Sequence, residues 1–271
     1  MLGKRILTAL IGMAYTVWVV NYGQWPYVLT ILLITLLAWH EYCRMLLTRE
    51  IRCNYWLGAF TVFLLPACAW LGNSSEMIGL LTCVNLLSLA HCILFREKCA
   101  ISDVAFTILG ISYIGLTFSH LILLRFYDER ILCFGSLTYS TAYLWLAFLG
   151  TWASDTFAYF IGSRFGKHKL CPAISPSKTI EGSIGGVCGS LLVVLSFSVY
   201  IGLPWLHSLA MGILVGVMAP LGDLAESAIK RFAQIKDSGT ILPGHGGILD
   251  RFDSILFAVP AVYYYVIALL G

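Results

Sequence analysis

The sequence predicts an all-α, polytopic integral membrane protein with about nine transmembrane helices. Of its 271 residues, 59% are hydrophobic and only 11% are charged, whereas soluble domains average about 25% charged residues. The mean hydropathy of +0.85 indicates the same class. So few charges cannot cover a water-facing surface, and lipid is therefore the expected surroundings of most of the chain.

Nine apolar segments have about the length of 20 residues that a helix needs to cross a bilayer. The first follows Lys4 and Arg5, as in a signal peptide, but no small-residue cleavage site comes after it, so we interpret it as a retained span. Short turns such as residues 202–204 separate several segments. The segments cover residues 6–22, 26–48, 56–72, 77–95, 102–125, 139–163, 182–202, 205–224 and 253–270.

The basic residues predict how these spans are oriented. When the loops are assigned alternately to the two sides, the N-terminal side receives all of the 17 Lys and Arg residues except Arg125 and Arg130. Cytoplasmic loops carry such an excess of positive charge. We therefore expect a multi-pass protein of the cell inner (cytoplasmic) membrane, with the N-terminus and the loops after residue 150 in the cytoplasm.

Net charge and cysteine content exclude several other classes. The formal charge of +3 is too small to indicate nucleic-acid binding. The nine Cys residues form no C-x-x-C pair and lie mostly in apolar runs, so they predict small buried side chains rather than a disulfide framework or a zinc site.

The two halves of the chain differ in character. Residues 1–135 form about five spans with short connections, whereas residues 136–271 include two longer loops, 164–181 and 225–252, that are rich in Gly, Lys and Asp. Functional residues concentrate in such loops. We therefore predict an N-terminal transmembrane region, with dimerisation left open because no motif supports it, and a C-terminal catalytic region.

Asp155 lies inside the sixth apolar segment. A carboxylate at membrane depth costs at least about 2.5–3.5 kcal/mol on insertion scales, and such residues usually mark functional sites. The alternative is an Asp near the interface that pairs locally.

A second candidate is the stretch 174–186, where Ser175, Lys178 and Thr179 precede the start of a helix near Glu181. Backbone N–H groups at a helix N-terminus, with a nearby Lys, can bind phosphate. An ordinary capped helix start explains the same residues about as well, and the spacing is not that of a Walker A loop.

The third stretch follows Gly222. On a helix, Asp223, Glu226, Ser227 and Lys230 share one face. A solvated helix also shows such a face, but this one continues directly from an apolar span, so that Asp223 lies near membrane depth.

The last stretch, residues 242–254, combines a Gly-rich turn with three charged residues, Asp250, Arg251 and Asp253. Carboxylates from this stretch and from Asp223 are suitable ligands for Mg²⁺, which proteins hold with one or two carboxylates plus substrate phosphates. An interfacial salt-bridge cluster is the alternative. A lone His such as His245 is more often a structural turn residue than a catalyst.

Carboxylates beside cations at a lipid interface favour phosphoryl or nucleotidyl transfer, because metal ions and basic side chains stabilise charge on phosphate oxygens. The run Ser227-x-Ile-Lys-Arg-x4-Lys-Asp-x-Gly-x2-Leu-Pro-x-His-Gly-Gly-Ile-x-Asp-Arg-Phe-Asp253 resembles the pattern of the phosphatidate cytidylyltransferase (CDP-diacylglycerol synthase) family. Asp155-Thr-x-Ala-Tyr and Ser175-Pro-x-Lys-Thr-x-Glu-Gly are similar to that family as well. Phe157 and Pro220-Leu221 differ from its pattern.

The resemblance implies that CTP and phosphatidic acid react to give CDP-diacylglycerol and pyrophosphate with Mg²⁺, a second cation being left open. It implies metal binding by Asp223, Asp250 and Asp253. The wider catalytic set adds Lys230, Arg231, Lys236, Asp237, His245 and Arg251. The implied substrate-binding set is Asp155, Ser175, Lys178, Thr179, Glu181, Ser227, Gly246 and Gly247.

Two other classes stay open on the residues alone. A CTP-dependent lipid-alcohol kinase or a phospho-sugar transferase would use similar groups, but a kinase would release CDP rather than pyrophosphate. A transporter would use Asp155 and Asp223 as a cation path, although transporters often have an internal repeat, and none is apparent in this sequence.

Overall fold

A computed structural model describes residues 2–72, 74–97, 99–132, 137–241 and 246–270, without the side chains of residues 2–9 and 74. Most of the chain is helical. The helices are α1 (Leu2–Tyr22), α2 (Gln24–Leu47), α3 (Tyr55–Trp70), α4 (Ser74–Leu94), α5 (Ile101–Gly110), α6 (Thr117–Arg125), α7 (Tyr139–Phe165), α8 (Ile180–Ile201), α9 (Trp205–Phe232), α10 (Leu249–Phe252) and α11 (Ile255–Leu269). A π-helical segment, Ile111–Leu116, joins α5 to α6 into one helical rod.

Each apolar segment predicted from the sequence contains a helix, and the prediction of an all-α membrane protein is confirmed at that level. Five helices within the described residues are long and apolar enough to cross a membrane. Three shorter helices are also apolar: Leu10–Tyr22, Tyr55–Trp70 and Ile255–Leu269. The five long ones are Gln24–Leu47, Ser75–Leu94, Ile101–Arg125, Ile180–Ile201 and Trp205–Phe232.

The helical fold differs from the prediction in two places. The predicted loop 164–181 contains an antiparallel hairpin of β1 (Lys169–Cys171) and β2 (Ser175–Thr179), with Lys169 opposite Thr179. Helix α9 continues to Phe232 instead of ending near residue 224, because the polar stretch after Gly222 has helical periodicity of its own.

The chain divides into two compact units. Unit 1 comprises Met1–Leu123 with Phe232–Arg251, and unit 2 comprises Leu124–Arg231 with Phe252–Gly271. This division follows packing, whereas the predicted boundary at residue 135 follows function and stays a prediction.

Large aromatic side chains form the centre of unit 1. Trp39 is fully buried, and a methyl group at Gly58 would overlap its ring. Tyr42 is also fully buried, and its hydroxyl donates a 2.9 Å hydrogen bond to the carbonyl oxygen of Phe106. Helices α2 and α3 and the rod that begins with α5 therefore pack closely around two rings, each with its polar atom satisfied.

Glycines set the packing of unit 2. A methyl group at Gly182 would lie 2.9 Å from the carbonyl oxygen of Ala158, and one at Gly186 would lie 3.0 Å from that of Ser154. The backbones of α7 and α8 thus approach each other along small residues, as is common between membrane helices. This contact brings the start of α8 beside the middle of α7, where Asp155 lies.

Candidate functional site

Lys178 is the central cation of the candidate site in unit 2. Its Nζ lies 2.7 Å from Oδ2 of Asp223 and 3.4 Å from the carbonyl oxygen of Pro220. Strand β2 carries Lys178 to the start of α8, while α9 supplies both partners. The side chains of Lys178 and Asp223 keep 21% and 34% of their exposure, so the pair remains accessible to a ligand.

Thr179 caps the helix that follows Lys178. Its backbone is extended, and its hydroxyl oxygen accepts a 3.1 Å hydrogen bond from the N–H of Gly182. Ser183 donates its hydroxyl to the carbonyl oxygen of Thr179 over 3.1 Å. The capped helix start predicted from the sequence is confirmed, and it holds the backbone of the residue next to Lys178 in place.

Three carboxylates of unit 2 lie close enough to act on one another electrostatically. Asp155 and Asp253 each experience the negative charge of Asp223, and Asp253 also experiences that of Asp155. Nearby cations are Lys178, which acts on Asp155, and Lys230, which acts on Asp253. The negative charges outnumber the cations at this point, which favours the binding of a further cation.

Gly222 explains how Asp253 comes so near to α9. A methyl group at Gly222 would lie 3.0 Å from Cα of Ser254 and would overlap the carbonyl oxygen of Asp253. The turn before α11 therefore packs directly on the α9 backbone, one residue before Asp223.

A cavity of about 390 Å³ opens beside this cluster. That volume lies within the range of about 300–1,000 Å³ typical of small-molecule sites. Asp155, Lys178, Thr179 and Asp223 line it, as do Ser154, Ala158, Tyr159, Gly162, Ser163, Ser177, Gly182, Ser183 and Pro220. Polar groups therefore converge at one wall while α7 supplies apolar surface, an arrangement suited to a phosphate-bearing ligand.

The predicted polar face of α9 is confirmed. Ser227 donates its hydroxyl to Oδ1 of Asp223 over 3.2 Å. Lys230 forms an ion pair with Glu226, whose side chain is fully buried. Arg231 donates from Nε to the carbonyl oxygen of Ile174 over 3.1 Å, which ties α9 to the hairpin.

Two residues of the predicted substrate-binding set lie away from the cavity lining. Ser177, rather than Ser175, lines the cavity. Glu181 is fully exposed and accepts hydrogen bonds from the backbone N–H groups of Lys167 and His168, at 3.1 and 3.2 Å, and from Nδ1 of His168 at 2.6 Å. Glu181 thus fixes the base of the hairpin, a contact that local spacing does not predict.

The remaining predicted residues belong to unit 1. Oδ2 of Asp250 accepts three hydrogen bonds, from the N–H of Ser238 at 3.0 Å, its hydroxyl at 2.9 Å and the N–H of Gly247 at 2.8 Å. Gly246 adopts a positive φ of 86° beside Asp250, which glycine tolerates best. Lys236, Asp237 and Arg251 are exposed, and His245 lies outside the described residues.

The sequence reasoning missed Glu41. This residue of α2 is only 2% exposed, and its carboxylate accepts hydrogen bonds from residues 248 and 249. A signal was present, because Glu41 is an ionisable residue within a predicted span, and such residues are rarely incidental.

Comparisons with known proteins agree with this site. A sequence model of the cytidylyltransferase family matches residues 3–269. A phosphatidate cytidylyltransferase of Bacillus subtilis (strain 168) is 35% identical over 267 residues, which cover 96% of each chain. Proteins of the same name from Staphylococcus haemolyticus (strain JCSC1435) and Staphylococcus aureus (strain COL) are 36% and 33% identical over 260 residues, 94% of this chain and 95% of each relative. The matches include both the apolar N-terminal spans and the polar C-terminal stretches, and the chain therefore belongs to the cytidylyltransferase family.

Proposed function

We propose that this chain transfers the cytidylyl group of CTP to phosphatidic acid, giving CDP-diacylglycerol and pyrophosphate for phospholipid biosynthesis. The observation that carries the proposal is the Lys178–Asp223 pair at the wall of a cavity, beside Asp155. The family membership and the relatives named phosphatidate cytidylyltransferase support the same reaction.

The reaction requires little covalent work from the protein. The phosphate of phosphatidic acid is already an anionic nucleophile, so one of its oxygens attacks the α-phosphorus of CTP and the bond to pyrophosphate breaks. Catalysis then consists of positioning the two substrates and stabilising charge on the phosphate oxygens.

Lys178 is the residue that we assign to the phosphates of CTP. Its ammonium lies at the cavity wall and is partly exposed, and the hydroxyls of Ser177 and Thr179 line the same wall. A bound phosphate would draw Lys178 away from Asp223 and exchange one anionic partner for another. Lys230, Arg231, Lys236 and Arg251 stay candidates for the lipid phosphate or pyrophosphate.

The donor chemistry of unit 2 fits a divalent cation. Asp223 and Asp253 offer hard carboxylate oxygens, which Mg²⁺ prefers, and their charges repel each other. Within the described residues, no three His, Cys, Asp or Glu side chains are grouped as a metal site, and Asp250 stays a predicted ligand in unit 1. When bound, Mg²⁺ would neutralise the phosphate oxygens.

Lipid is the expected environment of this enzyme. The apolar helices are suited to a bilayer, which delivers phosphatidic acid laterally. We propose nine spans, a cytoplasmic N-terminus and a cytoplasmic site in the inner membrane, because the basic residues lie almost entirely in the loops assigned to that side. Association into a homodimer stays open.

A product assay tests the reaction. Purified protein in detergent is given phosphatidic acid, Mg²⁺ and CTP labelled at the α-phosphorus, with or without EDTA. We expect label in the lipid phase and released pyrophosphate, both abolished by EDTA. Release of CDP with a γ-labelled lipid would indicate a kinase instead, and folded protein without any labelled lipid would favour a transporter.

A further inference from the structure

Glu41 is a buried carboxylate for which the reaction described above has no role. It lies in α2 among apolar residues, with 2% of its surface exposed. A carboxylate in such surroundings is costly unless hydrogen-bond donors surround it. Its partners therefore indicate why an apolar helix carries an acid here.

The partners of Glu41 all belong to the segment 238–250 of unit 1. Oε1 accepts a 2.9 Å hydrogen bond from the N–H of Ile248, and Oε2 accepts one of 3.1 Å from the N–H of Leu249. The hydroxyl of Ser238 lies 3.4 Å from Oε2. One side chain of α2 thus holds both ends of a segment about 200 residues away in sequence.

Ser238 links Glu41 to Asp250. Its hydroxyl lies 2.9 Å from Oδ2 of Asp250 as well as 3.4 Å from Oε2 of Glu41. A hydroxyl has one proton, so the two carboxylates share a single donor. A change in Glu41 therefore alters the hydrogen bonding of Asp250.

Two glycines let the segment approach the carboxylate of Glu41. A methyl group at Gly239 would lie 2.5 Å from Oε1, and one at Gly247 would lie 2.7 Å from Oε2. Neither glycine has a positive φ, so the space beside Glu41, rather than backbone conformation, disfavours a side chain at these positions.

We propose that Glu41 is a positioning residue for cytidylyl transfer, which acts by holding the segment 238–250 so that Asp250 keeps its orientation. The proposal rests on the assignment of Asp250 to the catalytic set. Glu41 itself touches no substrate in this scheme.

The test compares Glu41→Gln with Glu50→Gln, an exposed acid of the same unit. Glutamine keeps the shape of Glu41 but places an NH₂ group where the carboxylate accepts hydrogen bonds. We expect kcat to fall by about 10–100-fold, as for other residues that orient a ligand-bearing group. The KM for phosphatidic acid should stay within about twofold, because Glu41 holds a segment and not the lipid.

Gly239→Ala provides a second variant that leaves the acid unchanged. Its methyl group would push against Glu41, whereas Gly79→Ala, at a helical glycine with open space around it, is the matched control. We expect kcat to fall for Gly239→Ala and to stay at the wild-type value for Gly79→Ala.

Hydrogen exchange followed by mass spectrometry supplies a readout that is independent of activity. Residues 246–250 should exchange faster in Glu41→Gln than in wild type, with the transmembrane helices unchanged. Wild-type kcat in both variants, or unchanged exchange in this segment, would overturn the proposal, as would a fall in KM affinity for the lipid with kcat intact. A wild-type enzyme that makes no CDP-diacylglycerol would instead refute the proposed function, and the exchange experiment would still report on Glu41.

Discussion

Replacing Lys178 with Met tests the central cation of the site. The substitution keeps an unbranched side chain of similar length but removes the ammonium that lies 2.7 Å from Asp223. It also leaves the charges of Asp155, Asp223 and Asp253 with one cation fewer nearby. The variant should therefore bind and activate CTP poorly while the helices around it stay in place.

The expected magnitudes separate a catalytic role from a structural one. A largely exposed ion pair contributes about 0–1 kcal/mol to stability, and both side chains of this pair are partly exposed. Removal of one preorganised donor to the reacting group costs about 2.7–4 kcal/mol in the transition state, or about 10²–10³ in rate. The loss of activity should thus be several times larger, in free energy, than the loss of stability.

The assay measures kcat/KM for CTP with α-labelled nucleotide, together with thermal unfolding in detergent. Lys169→Met, on the neighbouring strand β1 and exposed, is the matched control and should keep wild-type activity. Lys178→Arg should recover part of the activity because it restores the charge without the compact ammonium. Activity of Lys178→Met within about threefold of wild type, or an equal loss in Lys169→Met, would refute this reasoning.

Three further substitutions test the surrounding structure. Asp250→Asn should abolish turnover without loss of folding or membrane insertion, because the amide oxygen can still accept the hydrogen bonds made to Oδ2; full activity with titrated Mg²⁺ would contradict its assignment as a ligand. Gly189→Ala should lower the stability of the helix pair by about 1–3 kcal/mol, measured by thermal unfolding, since the added methyl group would lie 2.5 Å from Cγ of Phe157. Glu181→Gln should loosen the hairpin, because the acceptor of the His168 bonds is weakened; limited proteolysis after the neighbouring lysines should become faster, and an unchanged cleavage rate would argue against the clamp.

Much of the site follows from local sequence alone. Asp155, Lys178 and Asp223 stand out as charged residues at the edges of apolar segments, and all three line the same cavity. The polar face of α9 follows from helical spacing, and the hydrogen bond between Ser227 and Asp223 agrees with it.

Other features required the packed structure. Strand pairing at β2 turns Ser177, not Ser175, towards the cavity. The carboxylate of Glu41 finds its donors 207 and 208 residues further along the chain. No window of neighbouring residues contains such information, because each contact depends on how separate segments pack.

The sequence by itself determined the class of this protein, the positions of its helices and the chemistry of its polar stretches. These properties are averages over about 20 residues, or patterns within one helix, and they depend on transfer from water to lipid and on helical periodicity. The tertiary structure decided which charges meet: Lys178 with Asp223, and Glu41 with the segment that carries Asp250. Those pairings depend on close backbone contacts at Gly182, Gly222 and Gly239, where a single added methyl group would separate the partners.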